Sequence, residues 1–153
     1  MPDWPGKPPQ ELFLRIATPN LIFVTIRTED SRPWLAAPEV HRLLVDVWKA
    51  ADAWLIGRYI LMPDHVHFFC APHDWAVPLK HWITYWKSRL IKAHGNPAWR
   101  FQSLSWHHRL RKMESYSQKW HYLRNNAVAE GLVSSPDEWP YQGQLHTLPW
   151  HDE

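Results

Sequence analysis

The sequence predicts an α+β fold: a ferredoxin-like βαββαβ sandwich with an additional C-terminal helix. Three observations carry this. Apolar runs of strand length and stripes of helical period alternate as strand, helix, strand, strand, helix, strand, helix, the order of the split βαβ unit. The two middle strands are joined only by Pro63-Asp64, a connection short enough for a hairpin. The length of 153 residues suits one domain with a core that needs no staples. That domain is read as residues 1–153, with an N-terminal arm over 1–19 and a C-terminal tail over 134–153.

Pro and polar residues fill the first eleven positions, an irregular arm. Asn20–Thr28 (NLIFVTIRT) is β-branched and apolar, a central strand. Pro33 and Pro38 mark a loop, and Pro38 suits the first position of a helix. Val40, Leu43, Leu44, Val47, Ala50, Ala51 and Trp54 keep helical spacing, so this helix is expected over Pro38–Ala53. The hairpin follows as Leu55–Met62 and His65–Ala71. A second helix is expected over Pro78–His94, stopped by Gly95-Asn96-Pro97. Trp99–Leu104 reads as a short strand, and Trp106–Met113 as a loop entering a turn of helix. A third helix is expected over Ser115–Glu130, ended by Gly131, and the Pro/Trp-containing tail beyond it as a surface wrap.

Cys70 is the only cysteine and lies in an apolar strand, which excludes a disulfide framework and points to a reducing cytosol. No stretch approaches the 18 apolar residues of a membrane span, and the N-terminus lacks the order of a signal peptide. The expected setting is cytoplasmic, at the nucleoid, without a membrane partner. The overall charge of +2 hides a strong asymmetry. Residues 80–125 carry 10 Lys/Arg against Glu114 alone, while 126–153 carry 5 acids and no base. A solvated helix face mixes both signs, so this block points to a polyanion, with nucleic acid first. The candidate contacts are Lys80, Lys87, Arg89, Lys92, Arg100, His108, Arg109, Arg111, Lys112, Lys119 and Arg124. Twelve tryptophans beside such a block also suit stacking on unpaired bases, although packing can account for most of them.

The stretch Tyr59–Ala71 (YILMPDHVHFFCA) carries the sharpest chemical signal. On a strand, His65 and His67 share a face while Val66, Phe68 and Cys70 point to the core. Two adjacent imidazoles on a rigid strand make half of a divalent metal site, or else sit as polar residues on a wet sheet face. Tyr122 and Asn126, four apart, share one face of the third helix. Tyr122 is then either a nucleophile or a core residue, and Asn126 either an oxygen ligand or a residue near the helix end. Tyr116 is the other tyrosine of that helix but faces away. His94, His107 and His121 are further metal-capable residues.

The HVH tripeptide after a Met-Pro-Asp turn, with YLRNNAVAEGLV far downstream, resembles the single-tyrosine HUH transposases, most closely their REP-associated branch. WHHRLRKMES is similar to the Phe/Tyr-x-His-x-x-Arg segment that precedes the tyrosine helix there. The resemblance runs from about residue 20 to about 142. It implies a ferredoxin-like nuclease acting on single-stranded DNA next to a hairpin, through a 5′-phosphotyrosine intermediate and with Mg²⁺ or Mn²⁺. Carried over, His65 and His67 are the metal pair, Tyr122 the nucleophile, and Asn126 the third ligand where relatives often have Gln. His108 matches the family's downstream His, in a supporting or DNA-contacting role. The family's Pro after Asn-Asn is Ala127 here, which is expected to keep the helix continuous. The protein is expected to act as a monomer or homodimer. Two competing functions remain: a domesticated hairpin-DNA binder without cleavage, and a metal-dependent phosphodiesterase that uses water and leaves no adduct.

Overall fold

The computed structural model describes residues 20–111 and 113–150. The expected N-terminal arm therefore lies outside the described residues. Five strands form one antiparallel sheet: β1 (Ile22–Arg27), β2 (Trp54–Met62), β3 (His65–Pro72), β4 (Trp106–Arg109) and β5 (Gln142–Gln144). Their order is β4-β1-β3-β2-β5, so the first four reproduce the predicted ferredoxin-like topology, and β5 extends it at the β2 edge. The helices are α1 (Pro38–Ala50), α2 (Leu79–His94), α3 (Tyr116–Arg124) and the short α4 (Asn126–Ala129). Among the described residues, no helix is long and apolar enough to cross a membrane.

Strand alternation divides the sheet into two faces. Ile22, Val24, Ile26, Val66, Phe68 and Cys70 bury one face beneath α1 and α2. Val40, Leu44 and Trp48 of α1, and Leu79, Trp82, Ile83, Trp86 and Leu90 of α2, complete this main core. Trp54, Trp82 and Trp86 are among the largest fully buried side chains, which accounts for part of the tryptophan content by packing. Gly95 closes α2 at φ 68°, a left-handed conformation in which glycine carries no Cβ penalty.

The structure partly roofs the second face. Leu21, Phe69, Tyr116, Leu123, Leu148 and Trp150 form a second cluster, and Ile60, Met62, Ala127 and Trp139 a third. The tail is thus no surface wrap. The Trp139 indole N–H donates to the Leu61 carbonyl at 2.9 Å, β5 pairs with β2, and Leu148 and Trp150 are buried. Large apolar side chains in a polar, Pro-broken segment gain more from burial than from exposure, whatever their local pattern. Gly57 sits where this roof presses on β2: a Cβ there would lie 2.5 Å from the Tyr116 hydroxyl and 2.7 Å from Leu148.

Three more expectations shift. The fourth strand is Trp106–Arg109 rather than Trp99–Leu104; of the latter, Phe101 only bridges to Thr28. Thr28 pairs with Phe101 but Thr25 with Trp106, so the chain between the two pairings loops out and interrupts the strand. The third helix is not continuous, although Ala127 replaces the proline. It breaks at Asn125, where the Asn125 side chain donates to the His121 carbonyl at 3.0 Å and Asn126 to the Leu123 carbonyl at 2.9 Å. Two short amides competing for backbone acceptors break the helix without any proline. Finally, α1 ends at Ala50, three residues before the expected boundary, and β2 begins at Trp54.

Candidate active site

The site is built on the half-roofed face, from β1, β3, β4 and the two C-terminal helices. In the β1–β3 register Thr25 lies opposite His67 and Arg27 opposite His65. Both imidazoles therefore point to the same face, with ring centroids 4.8 Å apart and planes at 79°. Each is oriented through Nδ1. The His65 Nδ1–H donates to the Asp64 carboxylate at 2.8 Å, and His67 Nδ1 lies 2.8 Å from the Thr25 hydroxyl. The Asp64 carboxylate at Nδ1 leaves the His65 Nε2 as a lone-pair donor, and the Thr25 hydroxyl holds the His67 ring in place through its Nδ1, as second-shell groups do for metal-binding histidines.

Burial, with His65 and Arg27 nearby, lowers the His67 pKa to about 3, so this imidazole is neutral at ordinary pH. The shift has a consequence for stability. Between its ordinary 6.5 and about 3, the unfolded chain binds a proton that the folded chain refuses. The stabilisation is complete above about 6.5 and is lost as pH falls toward 3. Urea midpoints should therefore fall on acidification through this window, and His67→Gln should flatten the fall. Above 4.5 the effect is free of Glu114, which loses its own contribution only below that value. Equal slopes in the two proteins would mean that His67 titrates normally.

Facing His67 across a cleft of about 630 Å³ are α3 and α4, whereas His65 is buried beside it and does not line the cleft. His67, Phe23 and Phe69 lie on its sheet side, and Tyr122, Leu123 and Asn126 on its helix side. Ser115 caps α3 by accepting the Gln118 amide N–H at 3.1 Å, which fixes where the helix starts and hence where Tyr122 falls. Tyr122 is 80% exposed and opens into the cleft. Tyr116 is 1% exposed; its hydroxyl accepts the Arg58 amide N–H at 3.0 Å and its ring lies against Phe69, so it is a core residue. The Asn126 amide nitrogen is spent on the Leu123 carbonyl, and the residue lines the cleft. Among the described residues there is no group of three or more His, Cys, Asp or Glu able to hold a metal. By donor chemistry, two imidazoles on one face of β3 together with the neutral amide oxygen of Asn126 would suit a divalent ion that keeps open positions.

Glu114, the lone acid of the basic block, organises the rest of the cleft. It accepts from the Arg111 amide at 2.6 Å and His108 Nε2 at 2.9 Å, and pairs with Lys119 at 3.0 Å. Burial opposes its ionisation, but these three donors outweigh it and hold the carboxyl down at about 2.

The basic residues do not form one surface. Lys80, Lys87, Arg89 and Lys92 belong to α2, which covers the sheet face away from the cleft. The Lys87 ammonium donates to the Gln102 carbonyl at 2.9 Å, and burial lowers its pKa to about 8. Arg124 pairs with Asp137 of the tail, and Lys119 with Glu114. Lys80, Arg89, Lys92, Arg100, Arg109 and Arg111 are exposed, and Lys112 lies outside the described residues. His94 is taken up by Asn96 and Trp99, and His107 and His121 do not line the cleft. Sequence reasoning missed Thr25, Asp64 and Glu114. Asp64 and Glu114 carried a legible signal, an acid beside the first histidine and a solitary acid among bases; Thr25 emerges only from strand register.

No protein-family model matches the chain, and no curated protein matches it. A solved structure of a REP-associated tyrosine transposase bound to a REP hairpin superposes with a TM-score of 0.67. The match covers 82% of this chain and 76% of the transposase, at 18% sequence identity. The fold is shared with that transposase. At this identity the likeness concerns the path of the chain, and the chemistry rests on the residues described above.

Proposed function

We propose that the protein is a metal-dependent DNA strand transferase that cuts single-stranded DNA beside a hairpin through a 5′-phosphotyrosine intermediate. The observation that carries this reading is the exposed Tyr122 in the same cleft as His67, with Asn126 at the start of α4 also lining it. The shared fold with a hairpin-bound tyrosine transposase supports it.

The Tyr122 oxygen gives up its proton to solvent and attacks the scissile phosphorus while the bond to the 3′ oxygen breaks. The 3′ oxygen leaves and takes up a proton, and the 5′ phosphate stays on the tyrosine. Attack by a 3′-OH on that phosphotyrosine reverses the step and joins strands, so the phosphodiester energy is conserved and no nucleotide cofactor is consumed. His65, His67 and Asn126 would hold Mg²⁺ or Mn²⁺, which when bound supplies charge neutralisation at the phosphate oxygens. Asp64 and Thr25 orient the two rings, and the α3 N-cap at Ser115 sets the height of Tyr122.

Two measurements test the reading. Protein mixed with Mg²⁺ or Mn²⁺ and a labelled DNA hairpin with single-stranded flanks should give a covalent protein–DNA band on a denaturing gel. Hairpin affinity should fall with salt at a log–log slope of about −0.7 per neutralised phosphate on single strands. Salt-sensitive binding without any cut leaves the domesticated binder as the better reading. Cutting without an adduct makes water the nucleophile.

A further inference from the structure

We propose that Trp106 is the stacking platform for one unpaired DNA base within this cleft, a subsite that rests on the DNA-processing reading above. The β4 strand runs along the sheet edge, and its alternation sends Trp106 and His108 to the cleft face, opposite Thr25 and Phe23. Trp106 is 57% exposed and lines the cleft. An edge strand could carry a polar residue at this position without cost, whereas an exposed indole loses the gain of burial until something covers it.

The ring is nevertheless held in place. Phe23 meets it edge-on at 5.7 Å and 74°, and His108 lies parallel to it at 6.1 Å and 14°. His108 is fixed by Glu114, and Phe23 stacks in turn on His67 at 5.4 Å and 20°. Four rings, His67, Phe23, Trp106 and His108, thus form one continuous row that starts at the proposed metal pair. A flat aromatic surface fixed at its edges stacks with any nucleobase at little entropic cost.

The occupant follows from the DNA-processing reading, from size and from place. Trp106, His108, Lys119 and Tyr122 line one cleft, so a base resting on the indole belongs to the strand presented to Tyr122. The cleft, about 630 Å³, falls in the range of small-ligand sites and suits a nucleotide rather than a duplex. A base on Trp106 would anchor the flank two rings away from His67 and so fix which phosphate reaches Tyr122. The platform is therefore a positioning element of the cut.

The test uses the full-length protein in EDTA, so that no cleavage intervenes. Hairpins with randomised single-stranded flanks are selected for binding, and each flank base of a bound hairpin is then replaced in turn by an abasic site. Wild type should lose about tenfold in affinity at one position, the contribution of a single base–aromatic stack. Trp106→Ala should lose about tenfold on the intact hairpin and become indifferent to that abasic site, while Trp106→Tyr should keep the wild-type pattern. Unchanged thermal unfolding of the variants shows that the loss is not one of folding. The platform is overturned if Trp106→Ala binds as tightly as wild type or keeps the same abasic sensitivity. If wild type retains no hairpin from the pool, the DNA reading itself falls and the platform with it.

Discussion

Tyr122→Phe should abolish the covalent protein–DNA band while leaving folding and hairpin affinity almost unchanged. The side chain is 80% exposed, so removing its hydroxyl disturbs no buried contact and should move stability by less than about 0.5 kcal/mol. Phosphate contacts come from elsewhere, so binding should persist. Chemistry should not, because a tyrosine nucleophile has no substitute in the cleft, and losing a nucleophile costs roughly 10⁴-fold or more in rate. The control is Tyr116→Phe. Its hydroxyl receives the part-buried Arg58 amide N–H, so removing it deletes a hydrogen bond and should cost about 1 kcal/mol of stability with the adduct retained. A denaturing gel for the adduct and thermal melts for stability read both variants. If Tyr116→Phe loses the band and Tyr122→Phe keeps it, the assignment of the nucleophile is reversed.

The contrast between these two tyrosines shows what a sequence discloses. Helical periodicity alone separates the faces of Tyr116 and Tyr122, and the structure buries one and exposes the other. Period-two alternation likewise set His65 and His67 on one face against Val66, Phe68 and Cys70, because β3 is a central strand with a fully apolar reverse side. The order of the first five elements, βαββα, was legible for the same reason: each of them carries its own period.

What stayed hidden depends on partners distant in sequence. Trp106–Arg109 has two histidines and an arginine where a strand signal needs apolar alternation, and it is a strand because β1 offers it a free edge. The tail lacks any period, yet Trp139, Leu148 and Trp150 find burial sites on a face formed by strands far upstream. The charge pattern gave the segment but not its layers. The same run of residues contributes α2 to one face of the sheet, β4 to its edge and α3 to the other face, and Asp137 of the tail reaches back to Arg124. Counting charges along the chain could not reveal that Lys87, Lys119 and Arg124 are each engaged by protein groups.

His67→Ala should remove divalent-metal binding and all cleavage, and the structure adds a cost that an open-face residue would not have. The ring stacks on Phe23 at 5.4 Å and holds Thr25 at 2.8 Å, so its loss should destabilise the fold by about 1–2 kcal/mol without unfolding it. Mn²⁺ binding followed by calorimetry reads the site without reference to activity. The wild type should bind, and His67→Ala should show no measurable heat, since one imidazole and one amide oxygen are too few protein ligands. Thr25→Val gives the graded case. It keeps both imidazoles but frees the His67 ring to rotate and choose its tautomer, and should weaken Mn²⁺ by about 10–100-fold. This ordering, with wild type tightest, Thr25→Val intermediate and His67→Ala silent, is what an oriented histidine pair requires. If Mn²⁺ binds all three proteins alike, the ion sits elsewhere. His67 would then be a neutral, buried imidazole serving the packing of β1 against β3, and the cleft would lack the metal centre proposed for it.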